Sequence, residues 1–382
     1  MFVDDMQLYW VQLTQVLSYG NVKLKDILNL YSTPQNFLEA GVDEWKKCEF
    51  LTLKNIKRLK DSNLSKAEKI INQCKKLGHK IITFDDDEYP ERLRNIVNPP
   101  AVLYIWGELP NIDKSVCISI VGTRNATTYG VNSAFTFGYE LAKSGAIVVS
   151  GGAVGIDSAS QKGALAAGGK VICVLGCGLA NRYLMTNFKL REEISKNGAV
   201  VSEYPPYHAA ARWTFPMRNR IIAGLSLGTL VVEAGVKSGA LITANLALEQ
   251  NRDVFAVPGD INRDSAEGTN KLLQICAKPA MNANDILDEY VNLYSGIKLN
   301  DSLKNKIKTN TYNEEKKRRL PENLSNEAKK VNEKLTDKPI HIDDLITVLN
   351  LKPEEILQAI TELELNGFIK SLPGKRYQIK ND

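Results

Sequence analysis

Four cations in this chain sit beside glycines and small hydroxyl residues, where a phosphate could be held. Arg124 follows Gly122 and Thr123 in "VGTRNATTYG", Arg218 and Arg220 flank Asn219 in "FPMRNRIIAGLS", and Lys237 precedes Ser238 and Gly239 in "EAGVKSGALITANLALEQ". A guanidinium beside the free N–H groups of a helix start makes an anion site. "SGGAVGID" adds Ser150, Gly151 and Gly152, whose backbone can approach a phosphate closely. Neither G-x-G-x-x-G nor G-x-x-x-x-G-K-[ST] occurs, and no acid ends the run "KVICVLG", so the dinucleotide fingerprint and the P-loop are both excluded. His79, His208 and His341 lie far apart, and the six cysteines form no C-x-x-C pair. A zinc site or a Ser-His-Asp triad therefore has little to build on, and neither metal nor cofactor is expected.

The elements that must position these residues follow from the apolar pattern. "AVLYIWG", "SVCISIVG", "GAIVVSGG", "KVICVLG", "AVVSEY", "TLVVEAG" and "DVFAVPG" are short β-rich runs, most of them ending at glycine, with helical segments between them. Continuously apolar strands imply helices on both faces, so residues 77–290 predict a Rossmann-like, doubly wound, mostly parallel α/β sheet. In such a sheet ligands bind beyond the carboxyl ends of the strands, and the four cations all fall on loops or helix starts at that edge. Residues 1–76 alternate apolar and polar positions at helical spacing and predict a helical N-terminal domain, which resembles SAM or helix-hairpin-helix domains. Residues 291–320 read as a basic polar linker, and 321–382 as three helices and a hairpin, the pattern of a winged helix-turn-helix.

Two readings compete for Arg218 and Arg220. Cations near a helix N-terminus oppose its dipole at a cost of about 0.3–1 kcal/mol each, so the fold alone does not favour them there. They either pair with a nearby acid such as Glu203 or Glu233, or face a polyanion. Several cations and exposed amides along one edge suit phosphates spaced along a groove, which means single-stranded nucleic acid. Tyr129, Phe188 and Trp213 are the candidate stacking partners.

Charge and composition bound the rest. The formal charge is +5, and residues 291–330 hold ten Lys/Arg against five Asp/Glu, so the excess of that segment equals the charge of the whole chain. Acids precede the first apolar residues in "MFVDDMQLYW", and no long uninterrupted apolar run occurs, which argues against a signal peptide or a membrane span. Several cysteines sit inside apolar runs, and all six are expected to be reduced, buried thiols of a cytoplasmic protein.

The blocks "VGTRNATTYG", "VVSGGAVGIDSASQKGAL", "VLGCGL", "SEYPP", "FPMRNRIIAGLS" and "VVEAGVKSGALITANLALEQNRDVFAVPGDI", in this order, resemble the DNA processing protein A family, also called DprA or Smf. The likeness is dense over about 115–290, and the flanking layout is similar too. It implies a non-enzymatic single-stranded DNA-binding protein that is a homodimer through an extended Rossmann-like core. It implies further that the protein protects incoming DNA in natural transformation and loads the recombinase RecA. As DNA contacts it implies Gly122, Thr123 and Arg124, then Arg218, Asn219 and Arg220, then Lys237, and also Asn187 and Lys189. The chain departs from the family in having Thr123 for Ser, Tyr183-Leu184 for Tyr-Pro, and Cys276 for a glycine.

In the winged-helix segment the expected recognition helix, 353–367, carries Glu354, Glu355, Glu362 and Glu364 and no Lys or Arg. Phosphates repel such a helix, so this domain is expected chiefly to dock protein, with Lys370, Lys375 and Arg376 of the wing as the lesser DNA contact. Two alternatives stand beside the single-strand reading. One is a nucleotide-processing enzyme of the phosphoribohydrolase-like group, with Glu233 as its acid. The other is a duplex-specific regulator using the winged helix.

Overall fold

The computed structural model describes residues 5–17, 19, 23–183, 185–300, 324–335, 339–372 and 374–379. The chain divides into two compact units, Met1–Asn305 and Lys306–Asp382. The first opens with helices α1 (Asp5–Val16), α2 (Leu24–Tyr31), α3 (Pro34–Glu39), α4 (Val42–Trp45), α5 (Leu53–Lys60) and α6 (Ser65–Leu77). Their ends follow local chemistry: Thr33 and Thr52 cap α3 and α5, and Gly78 ends α6 in the left-handed region at φ 66°.

Strands and helices then alternate. They are β1 (Lys80–Thr83), α7 (Glu91–Arg94), β2 (Val102–Gly107), β3 (Cys117–Val121), α8 (Thr128–Lys143), β4 (Ile147–Ser150), α9 (Ile156–Ala166) and β5 (Val171–Leu175). After these come α10 (Phe188–Asn197), β6 (Gly198–Ser202), α11 (Thr214–Gly224), β7 (Gly228–Val231), α12 (Gly239–Glu249), β8 (Asp253–Ala256), α13 (Asp264–Ile275), β9 (Lys278–Pro279) and α14 (Asn284–Leu287). The nine strands form one sheet in the order β1-β2-β6-β5-β4-β3-β7-β8-β9. From β6 to β9 every pairing is parallel; β1 and β2 add an antiparallel margin.

Alternate strand residues feed two cores. Ile118 and Ile120 of β3, with Val171, Cys173 and Leu175 of β5, pack under α8, α9 and α10 and the N-terminal helices. Cys117 and Val121 of β3, with Ile172 and Val174 of β5, pack under α7, α11, α12 and α13. This is why the strands read as unbroken apolar runs. Trp10, Leu13, Ile27 and Phe37 share the first core with Val102 and Tyr104, so the helical segment is packed directly on the sheet.

The second unit holds helices Asn326–Lys334, Ile342–Leu349 and Pro353–Leu365 with strands β10 (Ile340–His341), β11 (Ile369–Leu372) and β12 (Arg376–Ile379). The strands pair in the order β10-β12-β11, a winged helix with one short strand more than the expected hairpin. Two residues are too few to leave a period in the sequence. Three of the four acids on Pro353–Leu365 serve the fold: Glu355 accepts from Lys352 N–H, Glu362 from Ser325 N–H and Glu364 from the Ser371 hydroxyl. The bonds from Ser325 also lower the Glu362 pKa.

Two expectations change. Residues 291–300 pack on the core through Ile297, and Tyr294 accepts a hydrogen bond from Arg92, so the basic linker read from residue 291 does not begin there. The rest of that linker, from 301, lies outside the described residues. Five cysteines are buried, but Cys276 is exposed because it falls just past the end of α13. No helix among the described residues is long and apolar enough to cross a membrane.

Candidate nucleic-acid interface

The strand order reverses between β3 and β7, and their following helices part company there. α8 packs on one face of the sheet and α12 on the other, which opens a crevice at the carboxyl ends of the strands. The crevice encloses about 340 Å³. The loop after β3 is bound to the loop after β7 by the Thr123 N–H, which donates to the Glu233 carbonyl at 2.7 Å. A Cβ on Gly122 would lie 2.5 Å from the Ile156 side chain and 2.9 Å from that same carbonyl, so glycine is what permits the close approach.

Arg124 is the exposed cation of the crevice. Its guanidinium lies 5.2 Å over the ring of Phe215, which holds the charge at the mouth by a cation–π contact. Phe215 was not foreseen as a platform. Across from Arg124, the first turn of α12 opens onto the crevice, where Ser238 caps the helix by accepting from Ala240 N–H at 3.3 Å. Asn219 donates to the Gly239 carbonyl and so ties α11 to that turn.

Arg218 forms the floor and is 5% exposed. Its Nη1 donates to the Gly151 carbonyl at 2.7 Å and also to that of Val174, fixing the guanidinium to the ends of β4 and β5. Asp157, 8% exposed, lines the same floor, and its Oδ2 accepts from Ala153 N–H at 3.2 Å. Burial raises the Asp157 pKa and Arg218 opposes the shift; burial likewise lowers the Arg218 pKa against the pull of Asp157. Gly151 lies against both, since a Cβ there would sit 2.7 Å from the guanidinium and 2.7 Å from the carboxylate. With Arg124 and Arg218 against Asp157, the crevice carries one net positive charge while all three are ionised.

The other sequence-predicted residues stand apart from this surface. Arg220 lies on the far side of α11, as two residues of helix dictate. Its Nη2 pairs with Glu203 Oε1 at 2.6 Å, its Nε donates to the Asn98 carbonyl at 2.9 Å, and the two side chains are 7% and 2% exposed. The pairing reading holds for Arg220, while Arg218 faces the crevice. Ser150 is fully buried and donates to the Ile120 carbonyl. Asn187 donates to the carbonyl of Gly152 and braces that loop from beneath. Lys189 and Lys237 are exposed but outside the crevice lining, and Leu184 falls outside the described residues. Glu233 is 4% exposed, and its Oε2 accepts from the N–H and the hydroxyl of Thr127, capping α8. Among the described residues no group of three or more His, Cys, Asp or Glu is placed to hold a metal.

A family model described as DNA recombination-mediator protein A matches residues 80–291, and one described as DprA winged helix domain matches residues 315–375. The chain is 33% identical to Protein Smf of Synechocystis over 98% of this chain and 99% of that one. It is 41% identical to DNA processing protein DprA of Bacillus subtilis over 59% of this chain and 75% of that one. The solved structure of DNA processing protein A from Streptococcus pneumoniae aligns with a TM-score of 0.64 at 29% identity, covering 78% of this chain and 100% of that one. That of DNA processing protein A from Helicobacter pylori, described for its single-stranded DNA binding mode, aligns with a TM-score of 0.51 at 31% identity, covering 56% and 97%.

Proposed function

The chain belongs to the DNA recombination-mediator protein A family, and on that footing we propose that it binds single-stranded DNA in the crevice between β3 and β7. The observation that carries this reading is Arg124, an exposed cation held on Phe215 beside the buried guanidinium of Arg218 and the open first turn of α12. A phosphate seated there meets an exposed charge at the mouth, a second charge from the floor and the positive N-terminal end of α12. The ring of Phe215 and the open mouth suit a flexible strand better than a duplex, whose phosphates are held apart across a groove.

On this reading the protein works in the cytoplasm as a homodimer, shields incoming single strands in natural transformation and hands them to RecA. The winged helix serves protein docking, in keeping with its acidic helix. Binding to oligo(dT) across a salt series tests the site. Arg124→Ala lowers affinity roughly tenfold, the worth of a charged hydrogen bond, and reduces the salt slope by about 0.7, one phosphate contact on a single strand. Unchanged affinity and slope would remove the crevice from the DNA path.

A further inference from the structure

Helix α5 carries Lys54, Lys57, Arg58 and Lys60 and no acid. Spacings of three and four residues bring Lys54, Lys57 and Arg58 onto one face. With Lys66 of α6 they line a second concavity of about 790 Å³, walled on one side by the helical segment and on the other by the loop before α11. The four side chains are exposed, and among the described residues none forms an ion pair or a side-chain hydrogen bond. Asp61 is the one acid among the described residues of this wall. Four like charges against one carboxylate leave this wall net positive, and it attracts a polyanion.

The floor and the opposite wall narrow the identity of that polyanion. Gln12 lines the floor at 3% exposure, and its side-chain oxygen has no hydrogen-bond partner among the described residues. Trp213, 51% exposed, stands edge-on to Tyr204 at 6.1 Å and to His208 at 6.4 Å, so its ring is braced from behind while half of it meets solvent. Burial lowers the His208 pKa, and the imidazole adds no charge to the wall near neutral pH. Trp213 is the residue before α11, and Phe215, two residues on, lines the crevice. About 7 Å of chain at most separates them. The first turn of α11 is thus a ridge shared by the two concavities.

We propose that this groove is a second single-strand site, continuous with the crevice, in which the α5 and α6 cations take phosphates and Trp213 stacks a base. The proposal rests on the single-strand reading of the crevice. It gives the helical segment a part in binding long strands. An acidic peptide would satisfy the cations but has no use for a half-exposed indole in the same groove.

The test uses the full chain, oligo(dT) of about six and about twenty nucleotides, within and beyond the span of one small binding module, and fluorescence anisotropy over a salt series. Lys57→Ala with Arg58→Ala lowers affinity for the long strand about tenfold and its salt slope by about 1.4, two contacts at about 0.7 each; the short strand binds as before. Trp213→Ala weakens the long strand about fivefold or more and abolishes the tryptophan quenching that only the long strand produces. Unaltered long-strand affinity and slope in the lysine–arginine variant would overturn the proposal. The same result with lost binding of a polyglutamate peptide would also overturn it, and would assign the groove to an acidic protein. Arg124→Ala keeps the two sites distinguishable: if it leaves both strands unaffected while the lysine–arginine variant weakens the long one, the crevice reading fails and the groove stands.

Discussion

Replacing Arg220 with Ala separates an arginine that holds the site from one that faces the ligand. In the folded protein the Glu203 carboxylate is 2% exposed and meets Arg220 Nη2 at 2.6 Å. The same guanidinium also satisfies the carbonyls of Asn98 and Met217. Removing it takes the paired guanidinium away from a carboxylate inside the protein and the Arg220 donor away from the Asn98 carbonyl. Breaking a buried pair from one side costs about 3–5 kcal/mol, a large part of the roughly 5–15 kcal/mol that keeps a typical protein folded. At about 2 kcal/mol per molar urea, the unfolding midpoint falls by about 1.5–2.5 M. All four tryptophans, Trp10, Trp45, Trp106 and Trp213, lie in the first unit, so intrinsic fluorescence reads this transition without the winged helix. Exchanging both partners together, Arg220→Met with Glu203→Leu, removes the stranded charge and restores most of the loss. Where it remains folded, the Arg220→Ala protein binds oligo(dT) within about twofold of the unaltered chain, a span of about 0.4 kcal/mol by the affinity relation. A stability loss under about 1 kcal/mol, the range of an exposed pair, combined with lost DNA binding would refute the reasoning and put Arg220 on the ligand side.

Two further outcomes follow from the same geometry. Asp157 has a raised pKa through burial, so its favourable contribution to stability is fully present below the unfolded carboxyl value of about 3.9 and is lost as pH rises through the raised folded value. Its charge also opposes a phosphate on the crevice floor, so oligo(dT) affinity rises several-fold as pH falls through that window; titrating binding from neutral pH downward in Asp157→Asn should give a flat profile, and an unchanged slope would exclude Asp157. Ending the chain after about residue 320 should leave single-strand affinity and its salt slope in place, because the helix Pro353–Leu365 offers phosphates only carboxylates; loss of most of the affinity would locate the DNA contacts in the winged helix.

The sheet was legible because each central strand is buried on both faces and must be apolar throughout, as Cys117–Val121 and Val171–Leu175 are. The edge that carries the crevice was legible as well. Strands that end at glycine deliver Arg124 and Ser238 to one side of the sheet whatever the details of packing. What a linear pattern does not carry is the direction of a side chain whose partners are distant in the chain. "RNR" is symmetric in sequence, yet Arg218 is drawn to carbonyls 67 and 44 residues away, and Arg220 to a carboxylate 17 and a carbonyl 122 residues away. Phe215 escaped notice for a related reason: an aromatic residue at the start of a buried helix has the periodicity of core, and only the guanidinium above it marks it as a platform. The basic face of α5 is the extreme case. Lys54, Lys57 and Arg58 have the spacing of any solvated helix, and no property of the helix itself distinguishes them from charges that only confer solubility. Their meaning comes from Trp213, more than 150 residues further along the chain, standing across the groove from them. Function at this second site is therefore a property of the docking of the helical segment on the sheet, and a change that shifted that docking would alter long-strand binding while leaving every cation in place.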